Sequence, residues 1–164
     1  MKITIKPKII NKKNFSKFGQ IIDTSKKSYF RINNGFAKRY DNLIKINTST
    51  KKGKTIASIF SAKKRLFPMK IDMMEKHPLG SQAFIPMKET SFFAFVAPKG
   101  NRPDIKKIQS FIIPKQTGIN LNPGIWHFPL ISTKNMNFLV IDRKGKGKNL
   151  IIHKFKKEKV YLSK

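Results

Sequence analysis

Three histidines and eight acidic residues limit the side chains that this sequence could use for acid–base chemistry or metal binding. Glu75 and His77 are two residues apart, so in a strand their side chains point to the same face. A turn at residues 78–80, Pro-Leu-Gly, would bring Gln82 onto the next strand, where it can point into the same space. A carboxylate, an imidazole and an amide would then face one another.

A second imidazole, that of His127, comes shortly after a turn at residues 123–124, Pro-Gly. The spacing is similar to that of the two cupin motifs, H-x-H with an acid four or five residues later, and P-x-G followed by His. In cupins these four positions commonly hold a divalent metal, so the resemblance implies a metal site formed by Glu75, His77, Gln82 and His127. Two imidazoles, a carboxylate and an amide carbonyl can bind a first-row divalent ion. Glu75 replaces the first histidine of that pattern and Gln82 replaces the acid, so metal would bind more weakly.

Short apolar runs separated by turn residues predict strands along most of the chain. One segment, Asn11–Phe18, is typical of a helix, with Asn11 or Asn14 as its cap and Gly19 after its end. The predicted strands are Ile3–Lys6, Gln20–Ile22, Thr55–Phe60, Lys70–Lys76, Gln82–Pro86, Phe92–Ala97, Ile108–Ile113, Trp126–Pro129, Asn137–Asp142 and Leu150–His153. Many short strands with almost no helix favour an all-β barrel or sandwich.

The length of 164 residues fits one domain covering residues 1–164. No segment approaches the ~20 apolar residues of a membrane-spanning helix. The lysines of the first segment, MKITIKPKII, argue against a signal peptide. Cysteine is absent, which excludes disulfides and thiol chemistry. We therefore expect a soluble cytoplasmic protein without membrane partners.

The net charge of +28 raises the question of nucleic-acid binding, because basic chains attract polyanions. Of the 36 basic residues only 5 are arginines, although proteins that read bases and phosphates favour the arginine fork. The lysines are dispersed among many Ile, Asn and Phe residues, which is typical of AT-rich codon usage. We expect a solvated lysine coat and no specific nucleic-acid partner.

Four segments carry a resemblance to a known family. They are RINNGFAKRY at 31–40, EKHPLGSQAFIP at 75–86, GIWHFPL at 124–130 and FLVIDR at 138–143. In this order, and over nearly the whole chain, they resemble the ureidoglycolate lyase family. The resemblance implies a cupin-type double-stranded β-helix, which is a jelly-roll barrel, with the short helix near its amino end. It also implies a homodimer and a divalent metal, with nickel as the candidate. We expect no organic cofactor.

The activity implied by the resemblance is cleavage of (S)-ureidoglycolate to glyoxylate and urea in allantoin and purine catabolism, by a carbon–nitrogen lyase of the amidine-lyase type. Such cleavage needs a base for the hydroxyl proton, a proton donor for the leaving nitrogen and a cation for the carboxylate. A metal on the predicted ligands could lower the hydroxyl pKa. Without a metal, His77 or His127 could be the catalytic base, with Glu75 orienting it. The sequence leaves both versions open.

The same resemblance suggests residues that would bind substrate. The predicted set is Arg39, Tyr40, Asn33, Asn34, Ser81 and Trp126. Arg39 offers a bidentate partner for the carboxylate, although it could equally pair with Asp41 or Asp142. Asn33 and Asn34 could contact the ureido group, but Asn-Gly is also typical of a simple turn.

Two other classes of function stay open from the sequence. One is a polyanion-binding β-barrel that uses the lysine coat, although aromatic and arginine positions do not alternate as base-stacking surfaces require. The other is a cupin that binds a small carboxylate without turnover, which would use the same residues. His153 matches no motif and is expected at the surface. Asp142 and Arg143 are expected to end a strand with an ion pair.

Overall fold

A computed structural model of the protein describes residues 2–25 and 28–164. Strands form most of its regular structure, so the prediction of an all-β fold is confirmed. In chain order, strands β1–β17 span Lys2–Ile5, Lys8–Ile9, Gly19–Ile22, Phe30–Ile32, Ala37–Arg39, Lys54–Ala62, Met69–Ile71, Met73–Lys76, Gln82–Pro86, Phe92–Ala97, Gln109–Ile113, Gly118–Leu121, Trp126–His127, Ile131–Ser132, Met136–Lys144, Ile151–Lys154 and Lys159–Leu162. Helix α1 spans Lys12–Phe15, and 3-10 turns lie at Asn33–Gly35, Thr50–Lys52 and Ile105–Lys107.

The strands form three sheets and a separate hairpin. The largest sheet has the order β16-β8-β13-β10-β11-β2, with β14 also paired to β10, and the second has the order β3-β12-β9-β15-β6. A third sheet, β1-β17-β7, has three strands, and β4 pairs with β5 alone to form the hairpin. Along the described residues the two larger sheets are not joined into one closed ladder, so the cupin-like arrangement consists of two facing sheets.

The space between the two larger sheets is filled by the first hydrophobic core. Phe84 and Phe138 of the five-stranded sheet belong to it together with Phe92 and Phe111 of the seven-stranded sheet. The ring of Phe15, at the end of α1, meets that of Phe111 edge to face, with their centroids 5.3 Å apart. The helix therefore closes one side of this core with its aromatic side chain.

A second hydrophobic core lies on the opposite face of the seven-stranded sheet. There Phe95 and Trp126 pack in one cluster with Ile71, Val160 and Leu162 of the three-stranded sheet. Strand β10 contributes to both cores, and all six of its residues are buried. A strand that is covered on both faces has no need of polar residues, which explains the uninterrupted run FFAFVA.

Helix α1 is shorter than the predicted segment, although its start is where the capping signal placed it. The side chain of Asn11 accepts a 2.9 Å hydrogen bond from the backbone N–H of Asn14, and the Asn14 side chain accepts one from Asn11 in return. This reciprocal cap satisfies two backbone donors that the helix itself cannot. Within the described ranges, no helix has the length and apolar character needed to cross a bilayer.

Candidate active site and metal centre

Glu75 and His127 lie directly opposite each other on the neighbouring antiparallel strands β8 and β13. Residues opposite each other on such a ladder project to the same face of the sheet. That face points toward the first core, because Val96, the partner of His127 on β10, belongs to this core. His77 comes just after β8, and its carbonyl accepts a 2.8 Å hydrogen bond from the N–H of Gly124. This bond fastens the turn before β13 to the segment after β8.

One carboxylate oxygen of Glu75 faces both imidazoles. Its Oε1 lies 3.4 Å from His127 Nε2 and 3.7 Å from His77 Nε2, and the two rings are tilted with their centroids 5.3 Å apart. Ligand atoms from the three side chains lie within 4.8 Å of one another. The three side chains are shielded from solvent, with relative exposures of 17% for Glu75, 18% for His77 and 4% for His127. The predicted carboxylate–imidazole cluster is therefore present as a compact, sheltered group.

Backbone carbonyls fix the orientation of both imidazoles. The Nδ1 atom of His77 is 2.7 Å from the carbonyl oxygen of Asn149, and Nδ1 of His127 is 3.1 Å from that of Ile125. Because a carbonyl can only accept, each Nδ1 carries the hydrogen. In the neutral ring the lone pair is then on Nε2, which faces Glu75. A histidine that binds a metal or acts as a general base through Nε2 needs its hydrogen on Nδ1 in this way.

The charges of the cluster shift the protonation of Glu75 and His77. Burial disfavours the ionised carboxylate, but contacts with His127 and His77 more than offset this effect and lower the pKa of Glu75 from 4.5 to about 2. Burial also disfavours the charged imidazole of His77, but Glu75, the Asn149 carbonyl and the nearby charge of Asp142 together raise its pKa above 6.5. Glu75 is therefore a permanent anion near neutral pH, and His77 holds a proton more readily than a free histidine.

Gln82 begins β9 beside Asp142 of β15. The ladder between these strands pairs Ile141 with Ala83, which brings Gln82 and Asp142 next to each other. Gln82 is 4% exposed, and its Nε2 donates a 3.3 Å hydrogen bond to Asp142 Oδ2. The amide nitrogen of this predicted metal ligand is therefore engaged by Asp142, which is not among the predicted site residues.

Several buried polar atoms of this region have no hydrogen-bond partner among the described residues. They include His77 Nε2, His127 Nε2, Gln82 Oε1 and Asp142 Oδ1. Buried polar groups are rarely left unpaired in native proteins, so these atoms are available to a bound ion, substrate or water. Imidazole nitrogens and carboxylate oxygens suit a divalent first-row metal, and the residues present fit the metal that the cupin resemblance implies.

A sequence model of the family described as ureidoglycolate lyase matches residues 2–162. The chain belongs to the ureidoglycolate lyase family. It is 40% identical over 160 residues to a ureidoglycolate lyase of Pseudomonas aeruginosa, which covers 97% of this chain and 95% of the relative. It is 38% identical over 161 residues to one of Azotobacter vinelandii, with 98% of this chain and 96% of the relative covered. The predicted family resemblance is confirmed.

Four substrate-binding residues suggested by the ureidoglycolate lyase resemblance lie on or beside the β4–β5 hairpin. The Nε of Arg39 donates to Asp41 Oδ1 over 2.7 Å, and 64% of the Arg39 side chain is exposed. Tyr40 packs against Tyr29 with the rings tilted and their centroids 5.6 Å apart, while Asn33 and Asn34 form an exposed 3-10 turn. In residues 2–25 and 28–164, no hydrogen bond or ion pair joins this hairpin to the carboxylate–imidazole cluster.

Ser81 and Trp126 adjoin site residues along the chain, but their side chains make other contacts. The Oγ of Ser81 accepts a 2.8 Å hydrogen bond from the N–H of Asn47 and so fastens the segment before β6. Trp126 lies in the second core, on the opposite face from its neighbour His127, and its Nε1 donates to the carbonyl of Gly100 over 3.0 Å. His153 packs edge to face against Trp126 on that same outer side, and is partly buried rather than fully exposed.

Arg143 and Asp142 project from opposite faces of β15, so the expected ion pair between them does not form. Arg143 is 6% exposed. Its Nε and Nη2 donate to the carbonyl of Thr50 over 2.9 and 2.7 Å, and Nη2 also donates to that of Lys146 over 2.9 Å. The guanidinium thus ties two surface loops to the strand that carries Asp142.

Proposed function

We propose that this protein cleaves ureidoglycolate into glyoxylate and urea as a carbon–nitrogen lyase. Membership of the ureidoglycolate lyase family and the names of its relatives support this function. The structural observation that carries the proposal is the sheltered cluster of Glu75, His77 and His127, whose imidazole Nε2 atoms have no hydrogen-bond partner among the described residues. An imidazole in this cluster can accept and return a proton at Nε2, and the negative charge of Glu75 balances the positive charge of the imidazolium.

The reaction moves one proton and consumes no water. An imidazole Nε2, of His77 or His127, takes the proton of the substrate hydroxyl as the carbinol C–N bond breaks. The oxygen then becomes the aldehyde of glyoxylate, and the same proton passes to the departing nitrogen, which completes urea. Glu75 stays ionised because its pKa is about 2, so it stabilises the imidazolium that forms between the two transfers.

The residues that would hold a divalent metal are Glu75, His77 and His127, with Gln82 as a fourth candidate. When bound, the metal would supply a Lewis acid for the substrate hydroxyl and carboxylate. The carbonyls of Asn149 and Ile125 would then keep the imidazole rings in the orientation that ligands need. Nickel is the candidate ion suggested by the family, and a single strong anionic ligand, Glu75, would give modest affinity.

The remaining parts of the proposal concern the substrate carboxylate and the assembly. Arg39 is the candidate partner for the carboxylate, and it would reach the substrate if the β4–β5 hairpin folded toward the cluster and Arg39 exchanged Asp41 for the substrate. We also propose a cytoplasmic homodimer in the allantoin and purine degradation pathway. The exposed side chains of Phe30 and Phe36, at 64% and 88%, support an apolar interface at the hairpin.

The test is release of glyoxylate and urea from (S)-ureidoglycolate, measured against the spontaneous breakdown of this hemiaminal. The protein is assayed as purified, after exhaustive chelation, and after addition of nickel, manganese or zinc, with its mass measured in parallel. We expect turnover that falls on chelation and returns with one of the ions. Full activity after chelation would show that the reaction needs no metal. His77 or His127 would then be the catalytic base. Binding of the substrate without turnover would contradict the proposed function and leave a carboxylate-binding protein.

A further inference from the structure

Asp142 lies at the end of an inward-facing row on β15. Val140, two residues earlier, pairs with Phe84 on β9, and both belong to the first core. Asp142 and Gln82, each two residues farther toward the same end of the ladder, therefore face the same interior space. Within the described ranges no Lys, Arg or His nitrogen forms an ion pair with Asp142. The expected role of Asp142, an ion pair at the end of a strand, does not explain an inward-facing carboxylate without a basic partner.

The contact between Asp142 and Gln82 fixes which way the amide points. A carboxylate only accepts hydrogen bonds, so the 3.3 Å contact requires the Nε2 of Gln82 to face Asp142 Oδ2. The Oε1 of Gln82 is consequently turned away from Asp142. Gln82 Oε1 and Asp142 Oδ1 are both buried, and neither has a hydrogen-bond donor within residues 2–25 and 28–164. Two adjacent residues thus present one free acceptor oxygen each.

These acceptors are distinct from the carboxylate–imidazole cluster. The side chains whose ligand atoms lie within 4.8 Å of one another are Glu75, His77 and His127, and Asp142 is outside that group. Asp142 nevertheless lies close enough for its charge to favour the protonated form of His77. The acceptor pair therefore borders the cluster that would act on the carbinol carbon.

We propose that Gln82 Oε1 and Asp142 Oδ1 form the subsite that binds the terminal –NH2 of the ureido group. This inference rests on the proposed function, and it names the residues that select the nitrogen end of the substrate. A terminal ureido –NH2 offers two hydrogens, which match two acceptor oxygens. Glyoxylate has no N–H group, so the subsite would distinguish the ureido compound from its carboxylate product. Gln82 Oε1 then contacts the substrate instead of a metal, and Asp142 both orients Gln82 and accepts from the same nitrogen.

Binding of two stable compounds tests this assignment without any need for turnover. N-Carbamoylglycine resembles the substrate without its hydroxyl, so it cannot be cleaved. N-Acetylglycine has a methyl group in place of the terminal –NH2 and is otherwise the same shape. Calorimetric titration of the intact wild-type protein should show about 10-fold or greater preference for N-carbamoylglycine, the effect of hydrogen bonds to a charged acceptor. Equal affinity for the two compounds, or affinity for neither, would overturn the inference.

Two substitutions locate the preference. Asp142→Asn presents an N–H group to the ligand or to Gln82, and Gln82→Met removes the amide while conserving volume. Each should reduce the preference to within about 2-fold and leave the affinity for N-acetylglycine unchanged. Asp72→Asn, at an exposed acid, serves as the control and should keep the full preference. If Asp142→Asn fails to fold, the result for Gln82→Met decides, because the methionine side chain fills the space of the glutamine.

The possible results separate this inference from the proposed function. A preference that survives both substitutions would refute the subsite, even in an active lyase. Loss of bound metal from Gln82→Met, measured by elemental analysis, with the preference intact would assign Gln82 to the metal instead. If the wild-type protein shows the preference and both variants lose it, the subsite holds. Absence of glyoxylate release would then count against the lyase function alone.

Discussion

Replacing Glu75 with Gln should destabilise the folded protein by an amount that depends on pH. The pKa of the Glu75 carboxyl is lowered from 4.5 to about 2, and that difference between unfolded and folded states is equivalent to about 3 kcal/mol. This contribution is present above pH 4.5 and is lost as the pH falls through about 2. Because the pKa of His77 is raised above 6.5, the contribution of His77 is fully present below pH 6.5 and is lost as the pH rises through its folded value. The two contributions coincide between pH 4.5 and 6.5.

The expected loss in Glu75→Gln is therefore about 2–3 kcal/mol near pH ~5.5, and it should be smaller near pH ~8.5, because the contribution of His77 is lost as the pH rises through its raised pKa. Screening reduces it little, since only 17% of the Glu75 side chain is exposed. Guanidinium unfolding of chelator-treated protein at the two pH values measures it. Glu89→Gln, at an exposed carboxylate, should change the free energy of unfolding by less than about 0.5 kcal/mol. An equal loss for Glu75→Gln at both pH values, or a larger one at the higher pH, would refute the assignment of the charges.

Three further predictions concern activity and charge. His77→Ala and His127→Ala should each lower kcat for glyoxylate release at least ~100-fold, whereas His153→Ala should leave it within about 2-fold; equal losses at all three positions would indicate a defect in stability. Arg39→Ala should raise KM for ureidoglycolate about 10-fold with little change in kcat, as expected for a group that only anchors the carboxylate, and an unchanged KM would remove the hairpin from substrate binding. Affinity for duplex DNA should be weak, independent of sequence and lost at ~150 mM salt. Nanomolar binding to a defined sequence in that salt would contradict the expectation that the lysine coat has no specific nucleic-acid partner.

The spacing of a few residues was sufficient to predict that Glu75, His77 and His127 lie close together. Glu75 and His77 share a face because their positions alternate along the chain, and the turn before β13 brings His127 opposite Glu75. The bounds of β9 and β10 also agree with the prediction, because both are apolar runs that end at turn residues. In these segments local pattern and tertiary packing favour the same structure.

Other features depend on contacts that the sequence does not display. Asp142 follows Phe138 and Val140 in an alternating row, so its inward direction could have been read from the strand pattern. Trp126 could likewise have been assigned to the face opposite His127. The carbonyl of Asn149 that orients His77 could not be predicted, because a backbone oxygen is present at every residue and only the tertiary fold selects one. The hairpin contacts of Arg39 are equally a matter of tertiary placement.

Strand β17 follows a lysine-rich segment and is missing from the predicted strands. No strand is predicted after Leu150–His153, yet β17 spans Lys159–Leu162 and buries Val160 and Leu162 completely. The exposed Lys159 and the half-buried Tyr161 alternate with Val160 and Leu162, which belong to the second core. The lysines that precede β17 therefore do not exclude core positions within it.

The pairing of β1 with β17 has a consequence for how the protein acquires its structure. These strands come from opposite ends of the described chain and lie parallel, with Ile3 opposite Val160. Contacts between such distant segments form slowly, because closing the long loop between them costs chain entropy before any contact is gained. On the ribosome, the sheet that covers Phe95 and Trp126 cannot assemble until the last strand has emerged. Until then this apolar surface stays open, and it is where a nascent chain would bind a chaperone or another unfinished copy.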